Sequence, residues 1–274
     1  MSDAGFAQAS SGAAGGPLAA AIDPTAEIGQ GCRLGHGVVI EAGVRLGPGC
    51  SIGHHVVVHA GTLLGSGCRV EDHAVLGRRP RPGPTSTVTV PADLPPLAIG
   101  EHTSVGTGAV VYRGSVVGHH CLIGDLAFLR EGCQVGDFVV VGTHVTVEIG
   151  VRIGRHTKIQ TGAYIAGWTT IEEHCFIAPR VVTANDNYMG RTEERFRQRG
   201  GPLIRRGARV GANATLLPNV EVGAEAFVAA GSVVTRDVPP GQLVMGSPAR
   251  IVRAVPPEEL LDPGPSRYPD TPTP

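Results

Sequence analysis

Aliphatic residues recur at every sixth position along most of the chain. The longest unbroken run extends from Ile99 to Ile177, where fourteen successive positions of this register are Ile, Leu or Val. An α-helix turns once in about 3.6 residues, so a period of six would scatter these side chains around its surface. A short strand followed by a turn matches the period, with the aliphatic residue facing inward and Gly or a polar residue at the bend. The pattern therefore predicts a solenoid of short strands.

The same register holds on both sides of this run and includes thirty positions in total. Ten lie between Ile22 and Leu76, and six lie between Ile204 and Val234. A small residue often stands four positions after the aliphatic one. All six cysteines occupy this small inward position: Cys32, Cys50, Cys68, Cys121, Cys133 and Cys175. Free Cys packs as a small apolar residue and no CxxC spacing is present, so we interpret the cysteines as core residues.

Two interruptions of the register predict long loops, at residues 77–98 and 184–203. Loops of this length in a compact domain are usually functional or disordered. We therefore expect a disordered segment at 1–20, a solenoid domain at 21–240 that contains both loops, and a C-terminal extension and tail at 241–274. Within the extension, the sequence PPEELLD at 256–262 favours one or two helical turns.

Composition and charge agree with a solenoid. The chain has 40 Gly and only 4% aromatic residues, which is typical of folds in which aliphatic ladders replace an aromatic core. The net charge of −1 indicates no nucleic-acid or membrane-surface partner. The chain has no run of eighteen apolar residues, and its N-terminus does not resemble a signal peptide. These features predict a cytoplasmic protein.

The hexads resemble the left-handed parallel β-helix of the hexapeptide-repeat acyltransferases. In that all-β fold, three hexads form one triangular coil of eighteen residues. The resemblance covers Ile22 to about Arg253 and implies about ten coils. It also implies a homotrimer, with active sites in the clefts between adjacent prisms.

One histidine segment has a counterpart in this superfamily. Gly118-His119-His120-Cys121 resembles a segment of the UDP-N-acetylglucosamine acyltransferases of the lipid A pathway, whose His is the general base. Imidazole suits proton removal from an acceptor at neutral pH. His120 replaces the family's Asp, and Asp125 is another possible orienting carboxylate. The alternative is that His119 only lines a coil corner. Other histidines, spaced by multiples of eighteen, predict a corner column that Phe138 completes: His102, His120, His156 and His174.

A second segment resembles the nucleotide-linked amino-sugar N-acyltransferases. It comprises the Lys-Ile-Gln sequence at 158–160 followed by Asn185 and Asp186. The resemblance implies that this Asn-Asp pair lies near the acceptor. Some of those enzymes have an acidic residue one coil earlier, where this chain has Gly167. The alternative is a turn, because Asn and Asp bond their own backbone and tolerate left-handed conformations.

The C-terminal end of the solenoid resembles the coenzyme A end of these enzymes. The sequence AAGSVV at 229–234 is followed by MGSPAR at 245–250. The resemblance implies that one group of residues contacts the cofactor, with a basic side chain near its phosphates: Ala230, Gly231, Ser232, Ser247, Ala249 and Arg250. Carbonic anhydrases of this fold often end similarly, so the segment indicates the superfamily more than the reaction.

Together these resemblances predict an acyltransferase that uses acyl-CoA, most simply acetyl-CoA. The acceptor is the amine or hydroxyl of a small polar molecule, and a nucleotide-linked amino sugar is favoured. One alternative is a zinc hydratase like the γ-class carbonic anhydrases, but no His triplet matches that family's spacing. The other is a non-catalytic trimeric scaffold. We expect no bound metal. The sequence leaves open the acyl chain length, the acceptor, and whether a carrier protein replaces CoA.

Overall fold

The computed structural model describes residues 7–8 and 19–261 of the chain. Its contacts divide it into two compact units, one ending at Cys133 and one beginning at Gln134. Most of the expected N-terminal disordered segment and the tail from Asp262 onward lie outside the described residues.

The first unit consists of short strands that fall into three sheets, because every third strand along the chain pairs in parallel. Strand β1 (Ala7–Gln8) is the exception and pairs antiparallel with β4 (Arg33–Leu34). Sheet A contains β4 (Arg33–Leu34), β7 (Ser51–Ile52), β10 (Arg69–Val70), β13 (Ser104–Val105) and β16 (Leu122–Ile123). Sheet B contains β2 (Ala21–Ile22), β5 (Val39–Ile40), β8 (Val57–Val58), β11 (Val75–Arg78), β14 (Val110–Tyr112) and β17 (Phe128–Leu129). Sheet C contains β3 (Glu27–Ile28), β6 (Arg45–Leu46), β9 (Leu63–Leu64), β12 (Ala98–Ile99) and β15 (Val116–Val117).

The second unit follows the same rule. Its sheet A contains β19 (Val140–Val141), β22 (Lys158–Ile159), β25 (Phe176–Ile177), β28 (Arg209–Val210), β31 (Phe227–Val228), β33 (Gln242–Gly246) and β34 (Ala249–Ala254). Sheet B contains β20 (Thr146–Val147), β23 (Tyr164–Ile165), β26 (Val182–Thr183), β29 (Thr215–Leu216) and β32 (Val233–Val234). Sheet C contains β18 (Gln134–Val135), β21 (Arg152–Ile153), β24 (Thr170–Ile171), β27 (Leu203–Ile204) and β30 (Glu221–Val222). The helices are α1 (Glu194–Gln198) and a 3₁₀ turn (Pro257–Glu259), which lies in the segment expected to be helical.

The core is the aliphatic ladder that the period of six predicts. In most two-residue strands the second residue is buried, and Ile52, Ile123 and Ile177 have no exposed surface. The six cysteines are free and buried beside this ladder, as expected. The Sγ of Cys50, for example, donates to the carbonyl of Gly65 at 3.2 Å. The predicted left-handed parallel β-helix is confirmed.

Corner residues explain the histidine columns. The fourth position of a hexad adopts a left-handed backbone, which Gly accepts without strain. His102 and His120 occupy this conformation with φ of 53° and 55°, and their rings stack at 5.2 Å. In the second unit His156 stacks between Phe138 and His174, at 4.9 Å from each. Ring stacking along the corner accounts for these histidines without a ligand.

Candidate functional site

The ladder of the second unit is interrupted at Thr183, where a hydroxyl replaces an aliphatic side chain. In a regular coil, the amide after the aliphatic residue donates to a carbonyl of the next coil, as Glu148 does to Ile165 at 2.9 Å. The amide of Ala166 donates instead to Oγ1 of Thr183, at 2.7 Å. The side chain thus replaces a backbone acceptor, which allows the chain to leave the coil after β26 and form a loop that rejoins at β27.

Asn185 closes the base of this loop. Its side-chain Nδ2 donates to the carbonyl of Gly167 at 3.5 Å, and its backbone carbonyl accepts from the amide of Gly200 at 3.1 Å. The residue thereby connects a coil corner, the start of the loop and its end. The sequence prediction placed Asn185 in an active site, and the structure places it where three segments meet.

Asp186 holds the loop together from inside. Its two carboxylate oxygens accept from the amides of Tyr188 at 2.8 Å and Gly190 at 3.1 Å. Arg195 Nε lies 3.1 Å from Asp186 Oδ2 without hydrogen-bond geometry, so this contact is an ion pair. The pKa of Asp186 is lowered below its usual value, and the largest cause is the hydrogen bond from the Tyr188 amide. The carboxylate is therefore ionised at neutral pH, and because a lowered pKa makes it a weaker base, it suits charge stabilisation better than proton abstraction.

Sequence reasoning missed two residues beside Asn185. Trp168 has a φ of 62°, a conformation that is costly for a bulky side chain. The guanidinium carbon of Arg199 lies 4.0 Å from the centre of the Trp168 ring and 5.7 Å from that of Phe196. The signal was available, because Trp168 is the only tryptophan of the chain and occupies a corner position that favours Gly. Arg199 was hidden among the other charged residues of the loop.

His119 lies in the first unit, at an exposed corner. Its Nδ1 accepts from the amide of Glu101 at 3.1 Å. Asp125 makes the equivalent bond to the amide of Thr107 at 2.9 Å. Both side chains therefore cap coil corners. With Nδ1 as acceptor, neutral imidazole carries its proton on Nε2, so the outer nitrogen donates. A role as general base stays a prediction.

The residues predicted to bind coenzyme A lie on the last corner and the following hairpin. Ala230 and Gly231 are exposed, whereas Ser232 is fully buried and its Oγ accepts from the amide of Gly246 at 3.2 Å. Ser232 thereby ties the last coil to the antiparallel hairpin of β33 and β34. The other three predicted residues lie at or near the tip of this hairpin, and Ser247 and Arg250 are exposed: Ser247, Ala249 and Arg250.

The described residues form neither a metal cluster nor a membrane-spanning helix. Within residues 7–8 and 19–261, no group of three or more His, Cys, Asp or Glu side chains is arranged to hold a metal ion. In the same part of the chain, no helix is long and apolar enough to span a membrane.

Comparison with known proteins gives several relatives. A serine acetyltransferase of Buchnera aphidicola is 45% identical over 67 residues, which cover 24% of each chain. A hexapeptide-repeat acetyltransferase of Vibrio cholerae, solved with acetyl coenzyme A, is 30% identical and overlaps 44% of this chain and 70% of its own, with a TM-score of 0.37. The UDP-N-acetylglucosamine acyltransferase LpxA of Bacteroides fragilis is 19% identical and overlaps 88% and 74%, with a TM-score of 0.44.

The chain spans only a quarter or less of the curated relatives' length, for example 24% of the Buchnera enzyme and 18% of a GlmU protein from Rubrobacter xylanophilus. The family described as bacterial transferase hexapeptide (six repeats) matches residues 25–60, 150–185 and 201–236. These segments coincide with the period-six strands of both units. These three segments of the chain therefore carry the hexapeptide repeats of the bacterial transferase hexapeptide family.

Proposed function

We propose that the protein transfers an acyl group, most simply acetyl, from coenzyme A to an amine or hydroxyl of a small polar acceptor. A nucleotide-linked amino sugar is the favoured acceptor. One observation carries the proposal. The matched transferase segments 150–185 and 201–236 stand on either side of residues 186–200 of the polar loop, so the repeats are interrupted where the charged residues gather.

The acceptor is assigned to the corner formed by Asn185 and Asp186. The amide side chain of Asn185 offers a carbonyl oxygen that can orient an amine, and the ionised Asp186 favours positive charge as the amine attacks the thioester. An amine that arrives neutral needs little help from a base, and positioning of two substrates supplies much of the rate. His119 remains the alternative base, and its Nδ1 would first have to release the amide of Glu101 before it could accept a proton from the acceptor.

The donor is assigned to the end of the second unit. The exposed backbone of Ala230 and Gly231, and the exposed Ser247 and Arg250, offer hydrogen-bond donors to pantetheine and phosphates. The Vibrio cholerae relative that supports this assignment was solved with acetyl coenzyme A. Buried Ser232 acts here through the hairpin that it positions.

We also propose a homotrimer that buries the outer face of sheet B. In the first unit the first residue of every sheet B strand is apolar, and the exposed Arg78 follows only at the end of β11. These first residues are Ala21, Val39, Val57, Val75, Val110 and Phe128. The outer faces of sheets A and C carry charged residues at the corresponding first position of some strands, such as Arg33 on β4 and Arg45 on β6. A continuous apolar row on one face of three favours contact with another copy of the chain.

A panel of acyl-CoAs combined with amino sugars, amino acids and nucleotide-linked amino sugars tests the proposal, with release of free CoA thiol as the readout. Acceptor-dependent thiol release by the full chain is expected with at least one pair. Calorimetry that detects no acyl-CoA binding would instead support the scaffold alternative.

A further inference from the structure

The guanidinium of Arg199 has no acceptor within the described residues. It stacks on Trp168 and faces Phe196, and these ring contacts are its side-chain interactions in this part of the chain. The neighbouring arginines differ, since Arg195 pairs with Asp186 and Arg197 bonds Glu194 at 3.3 Å. Arg199 therefore holds five N–H donors that the protein leaves without a carboxylate.

The position of Arg199 is fixed from both sides along the chain. Asn219 Nδ2 donates to the carbonyl of Gln198 at 2.7 Å, and the amide of Asn219 donates to the carbonyl of Gly200 at 3.2 Å. The Trp168 ring, whose centre lies 4.0 Å from the guanidinium carbon, limits the movement of the guanidinium. A guanidinium whose position is restricted in this way loses little rotational freedom when it binds a ligand, and this favours specific binding.

The Arg199 guanidinium lies beside the corner formed by Asn185 and Asp186, to which the acceptor is assigned. Asn185 bonds Gly167, the neighbour of Trp168, and also bonds Gly200, the neighbour of Arg199. The same three segments thus carry the orienting amide and the unpaired guanidinium. Trp168 presents its ring from the left-handed corner position of the coil, with a φ of 62°.

We propose that Arg199, presented by Trp168, binds an oxyanion of the acceptor, either a phosphate or a carboxylate. The proposal rests on the acceptor corner assigned above and restricts the acceptor to anionic molecules. A planar guanidinium matches both groups through two parallel N–H···O bonds. Neutral amino sugars and simple amines lack this contact and are poor acceptors.

The only tryptophan of the chain makes binding visible without any acyl donor. Pyrophosphate, UDP, citrate and uridine are titrated into the full-length protein while the fluorescence of Trp168 is followed. We expect saturable changes with at least one anion and none with uridine. The phosphate and carboxylate series then tell which oxyanion is preferred.

Two variants separate the site from its surroundings. Arg199→Ala is expected to weaken anion binding about 10- to 100-fold, because a charge-assisted hydrogen bond is lost. Arg197→Ala is the matched control on the same loop, since the Arg197 side chain is 80% exposed, and it should bind as the unmodified protein does. Arg199→Lys keeps the charge without the planar guanidinium and should bind with intermediate affinity.

Several outcomes would overturn the inference. They are an unchanged fluorescence with every anion, equal weakening in the two alanine variants, and acyl transfer whose acceptor KM is the same in Arg199→Ala. The last result would leave acyl transfer itself intact. Conversely, anion binding without thiol release for any donor would refute the acyltransferase proposal while the oxyanion site stands.

Discussion

Replacing Thr183 by Val tests how the polar loop leaves the solenoid. The two side chains have nearly the same shape, but Val removes the hydroxyl that accepts from the amide of Ala166 at 2.7 Å. The site is only 1% exposed, so water does not replace the lost acceptor. The hydroxyl of Thr169 keeps its bond to the carbonyl of Ala166 at 2.7 Å. The Tyr164 carbonyl loses only a longer bond from the Thr183 hydroxyl, at 3.4 Å, so the main damage is the unpaired Ala166 amide.

The expected cost is that of one buried unsatisfied donor, about 1–3 kcal/mol in the free energy of unfolding. Urea unfolding followed by circular dichroism measures the loss, and hydrogen exchange at the Ala166 amide locates it. Because the loop 184–203 begins at the residue after Thr183, acyl transfer should fall as well.

Thr146→Val is the matched control for this experiment. Thr146 is the outward, half-buried residue of β20 and makes no side-chain hydrogen bond within the described residues. We expect its unfolding free energy to change by about 0.5 kcal/mol or less. Equal stability of the two variants, or unaltered exchange at Ala166, would refute the role given to the Thr183 hydroxyl.

Four further predictions follow from the structure. Asp186→Asn should lower kcat for acyl transfer about 10²-fold or more, and near-normal turnover would remove the carboxylate from the acceptor site. His119→Asn keeps an acceptor for the Glu101 amide and should retain most activity, whereas a loss of about 10²-fold would identify His119 as the base. Val39→Arg should dissociate the trimer, as measured by light scattering, whereas Leu63→Arg, at a similarly exposed position of sheet C, should leave it intact. An intact trimer in both variants would exclude sheet B as the interface. Burial, and secondarily the charge of His156, lower the pKa of His174, so the unfolded chain binds more protons below about pH 6.5. Stability should therefore decline as the pH falls from about 7.5 to 5, and His174→Gln should reduce that slope in urea unfolding measured at both ends; an identical slope would show that other groups cause it.

The fold was predictable because a single repeat along the sequence, the period of six, determines which side chains face inward. Each coil repeats the same inward and outward positions, so Ile99 and Ile177 obey the same rule without knowledge of distant contacts. The burial of the cysteines and the stacking of His156 on His174 follow from spacing alone.

The candidate site was predictable only in part, because it depends on contacts that break the period. The sequence indicated Asn185 and Asp186, yet the two amides and the Arg195 ion pair that hold Asp186 arise from the path of the loop. The approach of Arg199 to Trp168 spans thirty-one residues and follows no spacing rule. Likewise, no pattern foretold that Nδ1 of His119 accepts from a backbone amide.

The eighteen-residue repeat also governs how the length of this chain can vary. Cys32, Cys50 and Cys68 occupy equivalent inward sites at intervals of eighteen, and the strands beside them pair in register. Deleting one full coil would leave every remaining side chain facing its original direction, whereas deleting a single residue would turn all later aliphatic residues of that stretch toward solvent. Insertions within the solenoid are therefore compatible with folding only in whole coils. The two long loops are exempt, since they begin and end at corners, and there the chain is free to change its chemistry residue by residue.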